Sequence, residues 1–308
     1  MLISWTGRSV LMPESGRDCV VAGFDLSDAS RRAVWWAAAE AASRHRPLLL
    51  VHVFVWPFAE LTQVTVPGQR EIMEPLKDAL RRELQTLVAG CRELAPDVDV
   101  RDDMPFGDPA EELAAKAEDA ALLVLGAVGT GGAHWRELGS TAAELAARRS
   151  GAPMVVVRGE EPAQGPAPVV VGVDGSQVSE RAIGFAFDFA SRHGGELVAV
   201  HSLSDLPLDP YARVQRWELP WSEMRDDALE VLSESLAGWP EQYPDVPVRR
   251  VVAAEQPPRT LFDEAKGARL LVVGSHGRGR VRRLVLGSVS HAVVHHAPCP
   301  VAVLPAMA

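Results

Sequence analysis

The chain has 308 residues, 47% of them hydrophobic and 23% charged, and a formal net charge of −10. That length suits two domains of about 150 residues each, and the acidity argues against the basic footprint of a general nucleic-acid binder. Three cysteines (Cys19, Cys91 and Cys299) with no C-x-x-C pair exclude a disulfide framework and suit a reducing compartment.

Residues 1–17 hold no apolar core of secretory length, and no run reaches the roughly 18 apolar residues of a membrane span. A soluble, cytoplasmic protein without a membrane partner is expected. In chain order, short apolar runs alternate with helical patterns. Strands are predicted near 19–25, 48–55, 98–104, 121–126 and 153–158, with helices near 29–45, 70–94, 109–119 and 140–150. The stretch Arg158 to Pro168, rich in Pro, Gly and Glu, interrupts the alternation as a linker does. Strands return near 169–174, 196–202, 247–253, 269–274 and 300–304. Runs such as LLLVHVFV and ALLVLG are apolar throughout, as strands of a parallel sheet covered on both faces must be. The expected fold class is α/β, as two tandem parallel-sheet domains. Their predicted limits are an extension over 1–17, a first domain over 18–158, a linker over 159–167 and a second domain over 168–308.

The halves repeat one another. VVAGFDLSDASRRAVWWAAAEAASRHRPLLLVHV, from Val20, matches VVVGVDGSQVSERAIGFAFDFASRHGGELVAVHS, from Val169. Asp25 pairs with Asp174, Ser-Arg-His at 43–45 with Ser-Arg-His at 191–193, and His52 with His201. Gly126 pairs with Gly274 and Gly139-Ser140 with Gly287-Ser288, every offset being 148 or 149 residues. A period that long makes each repeat a whole domain, unlike the short units of a solenoid.

After the fourth strand of each half the glycines are spaced alike. Gly126 and Gly129 are followed after nine residues by Gly139-Ser140, and Gly274 and Gly277 by Gly287-Ser288. Glycine lets backbone approach a ligand closely, and Ser140 or Ser288 is expected to cap a new helix. Free N–H groups at that helix start suit phosphate. Neither a Walker A loop nor the G-x-G-x-x-G dinucleotide fingerprint is present. Ligands of open α/β sheets lie beyond the strands' carboxyl ends, where strand order reverses. Asp25 and Asp174 end the first strands there, either as ribose or magnesium ligands or as caps of the following turn.

With these residues the chain resembles the tandem universal stress proteins, whose ATP-binding members share G-x2-G-x9-G-[S/T]. The resemblance covers nearly all of 19–158 and 167–305. It implies Rossmann-like, open five-stranded parallel sheets of order 3-2-1-4-5, with strands one and four adjacent. It also implies binding of an adenine nucleotide, ATP with Mg, and a role in stress adaptation through an unidentified protein partner. AMP or cyclic AMP in place of ATP stays open. By the same resemblance, Asp25 and Asp174 lie against the nucleoside, and Val53 and Ser202 meet adenine through their backbones. The phosphate segment is Gly126, Gly129, Gly139, Ser140 and Thr141 in the first half. In the second it is Gly274, His276, Gly277, Arg278, Gly287, Ser288 and Val289. Family pairing through the last strand implies a homodimer, but MVVV at 154–157 and VAVL at 301–304 are open to pairing either two chains or two halves.

The halves also differ. The second loop carries Arg278, Arg280, Arg282 and Arg283, whereas the first has Arg136 beside Glu137. Even at under about 1 kcal/mol each, several such contacts separate two sites by about tenfold, so tighter binding is expected at the second. Leu26-Ser27-Asp28 replaces Gly175-Ser176-Gln177, and Phe106-Gly107-Asp108 faces Ala254-Glu255-Gln256. His291, His295, His296 and Cys299 lack an acidic third ligand, which disfavours a metal site. His52 and His201, inside apolar strands, read as satisfied core histidines. Tyr211, Trp217 and Trp221 read either as a lid or as domain packing. No nucleophile elbow, Walker lysine or kinase motif occurs. A regulatory binding protein is therefore expected ahead of a slow Mg-dependent ATPase or adenylyl-handling enzyme, with an empty scaffold third.

Overall fold

Strands built from consecutive Val, Leu and Ala have no polar face to leave in water, so helices must cover both sides. In the computed structural model, which describes residues 18–55, 69–129, 138–148, 151–159, 165–202, 221–277 and 286–306, they do. The first half runs β1 (Val20–Gly23), α1 (Asp28–Arg44), β2 (Leu48–Val51), α2 (Gln69–Leu94), β3 (Val100–Asp103), α3 (Pro109–Ala117), β4 (Leu122–Gly126), α4 (Ser140–Ala147) and β5 (Met154–Val157). The second runs β6 (Val169–Gly172), α5 (Gln177–His193), β7 (Leu197–Ser202), α6 (Trp221–Ser235), the single turn α7 (Trp239–Gln242), β8 (Val248–Ala253), α8 (Pro257–Glu264), β9 (Leu270–Gly274), α9 (Ser288–His296) and β10 (Val301–Leu304). β1, β2, β5, β7 and β10 are buried at every residue.

Side chains alternate between two core layers, as the strand period of two demands. Val20 and Ala22 join the layer under α1 and α2, while Val21 joins the layer under α3 and α4. Each layer continues through both halves.

The ten strands of the described residues form one sheet, ordered β3-β2-β1-β4-β5-β10-β9-β6-β7-β8. Each half has the expected 3-2-1-4-5 order, but the two open sheets are merged. β5 and β10 pair antiparallel, with Val155 opposite Ala302, and this is the one antiparallel seam among these parallel neighbours. The seam decides the pairing left open between two chains and two halves: β5 is flanked by β4 and β10, and β10 by β5 and β9, so the last strands join the two halves and neither keeps an edge for a second chain.

Above the seam α1 meets α5. Trp36 stacks on Phe189 with ring centroids 6.2 Å apart. Glu40, 1% exposed, receives Arg44 at 2.6 Å, Arg192 at 2.9 Å and the Nε2–H of His193 at 2.9 Å. Asp188 takes the corresponding place on α5, 2.9 Å from Arg192 and 3.7 Å from Arg44.

Candidate functional site

In each half the chain leaves the first strand to one side and returns to pair its fourth strand on the other: β1 lies between β2 and β4, and β6 between β7 and β9. A crevice opens at the carboxyl ends of such strands. The first half holds a cavity of about 510 Å³ there and the second one of about 590 Å³, both within the usual range for small-molecule sites.

The aspartate ending the first strand is fixed by the start of the next helix. Asp25 Oδ1 accepts from Ser27 N at 3.0 Å, and Asp174 Oδ1 from Ser176 N at 2.9 Å. Ser27 and Ser176 then cap α1 and α5 through Ser30 N and Ser179 N. The buried hydroxyls of Ser30 and Ser179 return the contact, accepting from Asp25 N and Asp174 N. Sequence reasoning did not single out these two serines, although they match at the same offset as the aspartates.

The second carboxylate oxygen faces the glycine loop. A Cβ on Gly129 would lie 2.7 Å from Asp25 Oδ2, and one on Gly277 would lie 2.6 Å from Asp174 Oδ2. These glycines therefore let loop and carboxylate share one space. Gly126 serves packing instead, because its Cβ would strike the backbone of Ala29 and Ser30 at 2.7 Å, where α1 crosses the end of β4.

The caps of α4 and α9 lie one residue earlier than expected. Gly139 and Gly287 are the N-caps, Ser140 and Ser288 are already helical, and no side chain caps either helix. The reason is the tie back to the strand: Gly139 N donates to Ala127 O at 2.7 Å and Gly287 N to Ser275 O at 2.9 Å. A glycine cap offers no side-chain acceptor, so the first-turn N–H groups remain without the capping bond that α1, α3 and α5 receive. Ser140 and Thr141 line the first cavity, and Ser288 and Val289 the second.

The structure thus gathers Asp25, Val53, Gly126, Gly129 and Gly139 around the first cavity with those two residues. Asp174, Ser202, Gly274, His276, Gly277 and Gly287 surround the second. Arg278, Arg280, Arg282, Arg283 and Arg136 lie outside the described residues, as do Tyr211 and Trp217 and the side chain of Trp221. Glu255 is exposed and does not line the cavity, although its backbone oxygen accepts the Ser202 hydroxyl.

Both halves match the profile of the Universal stress protein family, over residues 17–158 and 167–305. The chain belongs to the universal stress protein family. A universal stress protein of Mycobacterium tuberculosis is 39% identical over 292 residues, covering 92% of this chain and 96% of the relative. One from Mycolicibacterium smegmatis is 37% identical over 296 residues, with coverage of 92% and 96%. The crystal structure of a universal stress protein from Archaeoglobus fulgidus shares the fold at 19% identity, with a TM-score of 0.68 over 95% of this chain and 99% of that one.

In this universal stress protein His201 lies within β7, whereas His52 sits one residue beyond the end of β2 and is only partly buried. His52 Nδ1 lies 2.8 Å from Phe24 O and His201 Nδ1 2.7 Å from Val173 O, while the buried Nε2 of His201 has no hydrogen-bond partner among the described residues. On α9, His291 and His295 stack with centroids 4.4 Å apart. Burial, then the charges of His291, His296 and Arg158, hold His295 below its ordinary value. Among the described residues no three His, Cys, Asp or Glu side chains form a metal cluster, and no helix is long and apolar enough to cross a membrane.

Proposed function

We propose that this universal stress protein is an adenine-nucleotide-binding regulatory module of the cytoplasm, with the second cavity as its principal ATP site. One arrangement carries the reading. A carboxylate at the end of the first strand, a glycine loop free of Cβ atoms beside it and an uncapped helix N-terminus share one crevice, and the chain builds that set twice.

An uncapped N-terminus carries about half a positive charge and unsatisfied N–H donors, which favours phosphate. Ser288 and Val289, on the first turn of α9, belong to this cradle. Asp174, at the strand end, suits ribose hydroxyls or a magnesium ion, since Oδ1 is engaged by Ser176 N while Oδ2 faces the loop. Magnesium bound with ATP would offset the charge of the phosphates. Ser202, on the opposite wall, offers backbone groups to the base. Occupancy would be the signal, read by a protein partner.

The test is direct. Protein purified without added nucleotide and then denatured is expected to release about one ATP per chain, and titration with Mg-ATP is expected to show little turnover. Gly277→Val places a side chain against Asp174 Oδ2 and should abolish binding at the second cavity alone, with folding checked by thermal unfolding. Unchanged affinity in a folded Gly277→Val variant would overturn the assignment.

A further inference from the structure

The duplication allows the two cavities to be compared wall by wall, and they are not chemically alike. Where the second has Gly175, Ser202, His276 and Ser290, the equivalent positions in the first hold Leu26, Val53, Val128 and Ala142. Ser202, His276 and Ser290 line the second cavity, and all four replacements line the first. Each exchange puts hydrocarbon where the second half has a polar side chain or none.

The described mouth of the first cavity is apolar as well. Among the described residues every exposed large hydrophobic side chain belongs to the first half, and four of the six gather here. Leu26, Val55 and Leu76 line the cavity while remaining 38%, 53% and 42% exposed. Phe106, 60% exposed, stacks on the cavity residue Phe54 with centroids 6.0 Å apart. Scattered apolar side chains on a surface mean little, but a cluster rimming a cavity marks a binding surface. Leu26 also keeps a φ of 73°, a backbone conformation its counterpart Gly175 adopts without a side chain to place.

We infer that the first cavity takes a different class of ligand from the second: a small anion whose other end is apolar or aromatic. The anionic end rests on the reading of the glycine loop and the α4 N-terminus given above. The apolar end rests on the Leu26, Val53, Val55, Leu76 and Phe106 side chains alone. Burial of hydrocarbon against that rim drives binding, and a ligand carrying hydroxyls or amino groups there meets no side-chain partner in Leu26, Val53 or Val128.

Anilinonaphthalene sulfonate, an aromatic anion, is a suitable probe for the full-length chain held in saturating Mg-ATP. The expected result is about one probe bound per chain, not displaced by ATP. The combined variant L26G, V53S and V128H gives the first cavity the second's side chains. It is expected to lose about tenfold or more in probe affinity and to bind a second ATP by calorimetry. Leu94→Ser, which removes another exposed apolar group, should change neither value. If thermal unfolding shows the combined variant to be unfolded, Val53→Ser alone serves, with a smaller loss expected. Probe binding unchanged by these replacements would overturn the inference, as would a wild-type chain taking two ATP of equal affinity with displacement of the probe. A wild-type chain that binds no ATP would instead sink the nucleotide reading, and the probe series would still decide the ligand class of the first cavity.

Discussion

Leu26 shows what a single residue discloses only in three dimensions. The sequence places Leu-Ser-Asp where the second half has Gly-Ser-Gln, and it reads simply as a departure. The backbone gives the departure a cost, since Leu26 and Gly175 hold the same left-handed turn at φ 73° and 72°. A β-carbon there costs about 1 kcal/mol, so Leu26→Gly should raise the unfolding free energy by about 1 kcal/mol, read from the denaturant midpoint. No gain would mean that Leu26 recovers the strain through contacts. The cap positions had the same origin. Ser140 and Ser288 have the side chains of caps, but the bond from the preceding glycine to the strand fixes the boundary one residue earlier. All three cysteines are free and buried. Burial pushes the thiols of Cys91 up to about 11 and Cys299 up to about 12, and raises Cys19 as well. At neutral pH an alkylating reagent should therefore label all three only on unfolding, and rapid labelling of the native chain would contradict that burial.

At the scale of elements, strands and helices were legible because the apolar runs are long and the duplication repeats them. Within AVWWAAAEAA the apolar residues keep no clean helical spacing, and α1 explains why. The helix packs on the sheet, lays Trp35 against Gly90 of α2 and turns Trp36 and Glu40 toward α5, so no face is left to be uniformly polar. Nothing in the sequence marks Glu40 as buried, because its partners Arg192 and His193 lie in the other half. Burial alone would raise its pKa. The hydrogen bond from His193 and the charges of Arg44 and Arg192 outweigh burial and hold the carboxyl at about 2, below the ordinary 4.5. A depressed carboxyl contributes stability that is fully present above pH 4.5 and is lost as pH falls through about 2. Glu40→Gln leaves two guanidinium groups facing a neutral amide and should cost on the order of 3 kcal/mol at neutral pH. Its stability should also fall less steeply below pH 4.5 than that of the wild-type chain. Equal acid limbs in the two proteins would remove Glu40 from that account.

For the whole molecule, the order of strands within each half followed from the family resemblance, but the joining of the halves did not. MVVV and VAVL are apolar strands at the end of a sheet, and such a strand pairs equally well with its own chain or with another. What decides is the rest of the contact. β5 and β10 join along the seam, α1 and α5 cross above it, and both core layers pass through it without a break. The chain thereby makes this strand pairing within itself. The sheet then ends in β3 and β8, which carry Arg101, Asp102 and Asp103 on one edge and Arg249 and Arg250 on the other. Charged edge strands resist addition of a further strand. The protein should therefore run in solution as a monomer of 33.2 kDa by light scattering, at all concentrations and with or without Mg-ATP. A stable species of twice that mass would require a surface other than the last strands, because the only way to free those edges is to pull the two halves of the core apart.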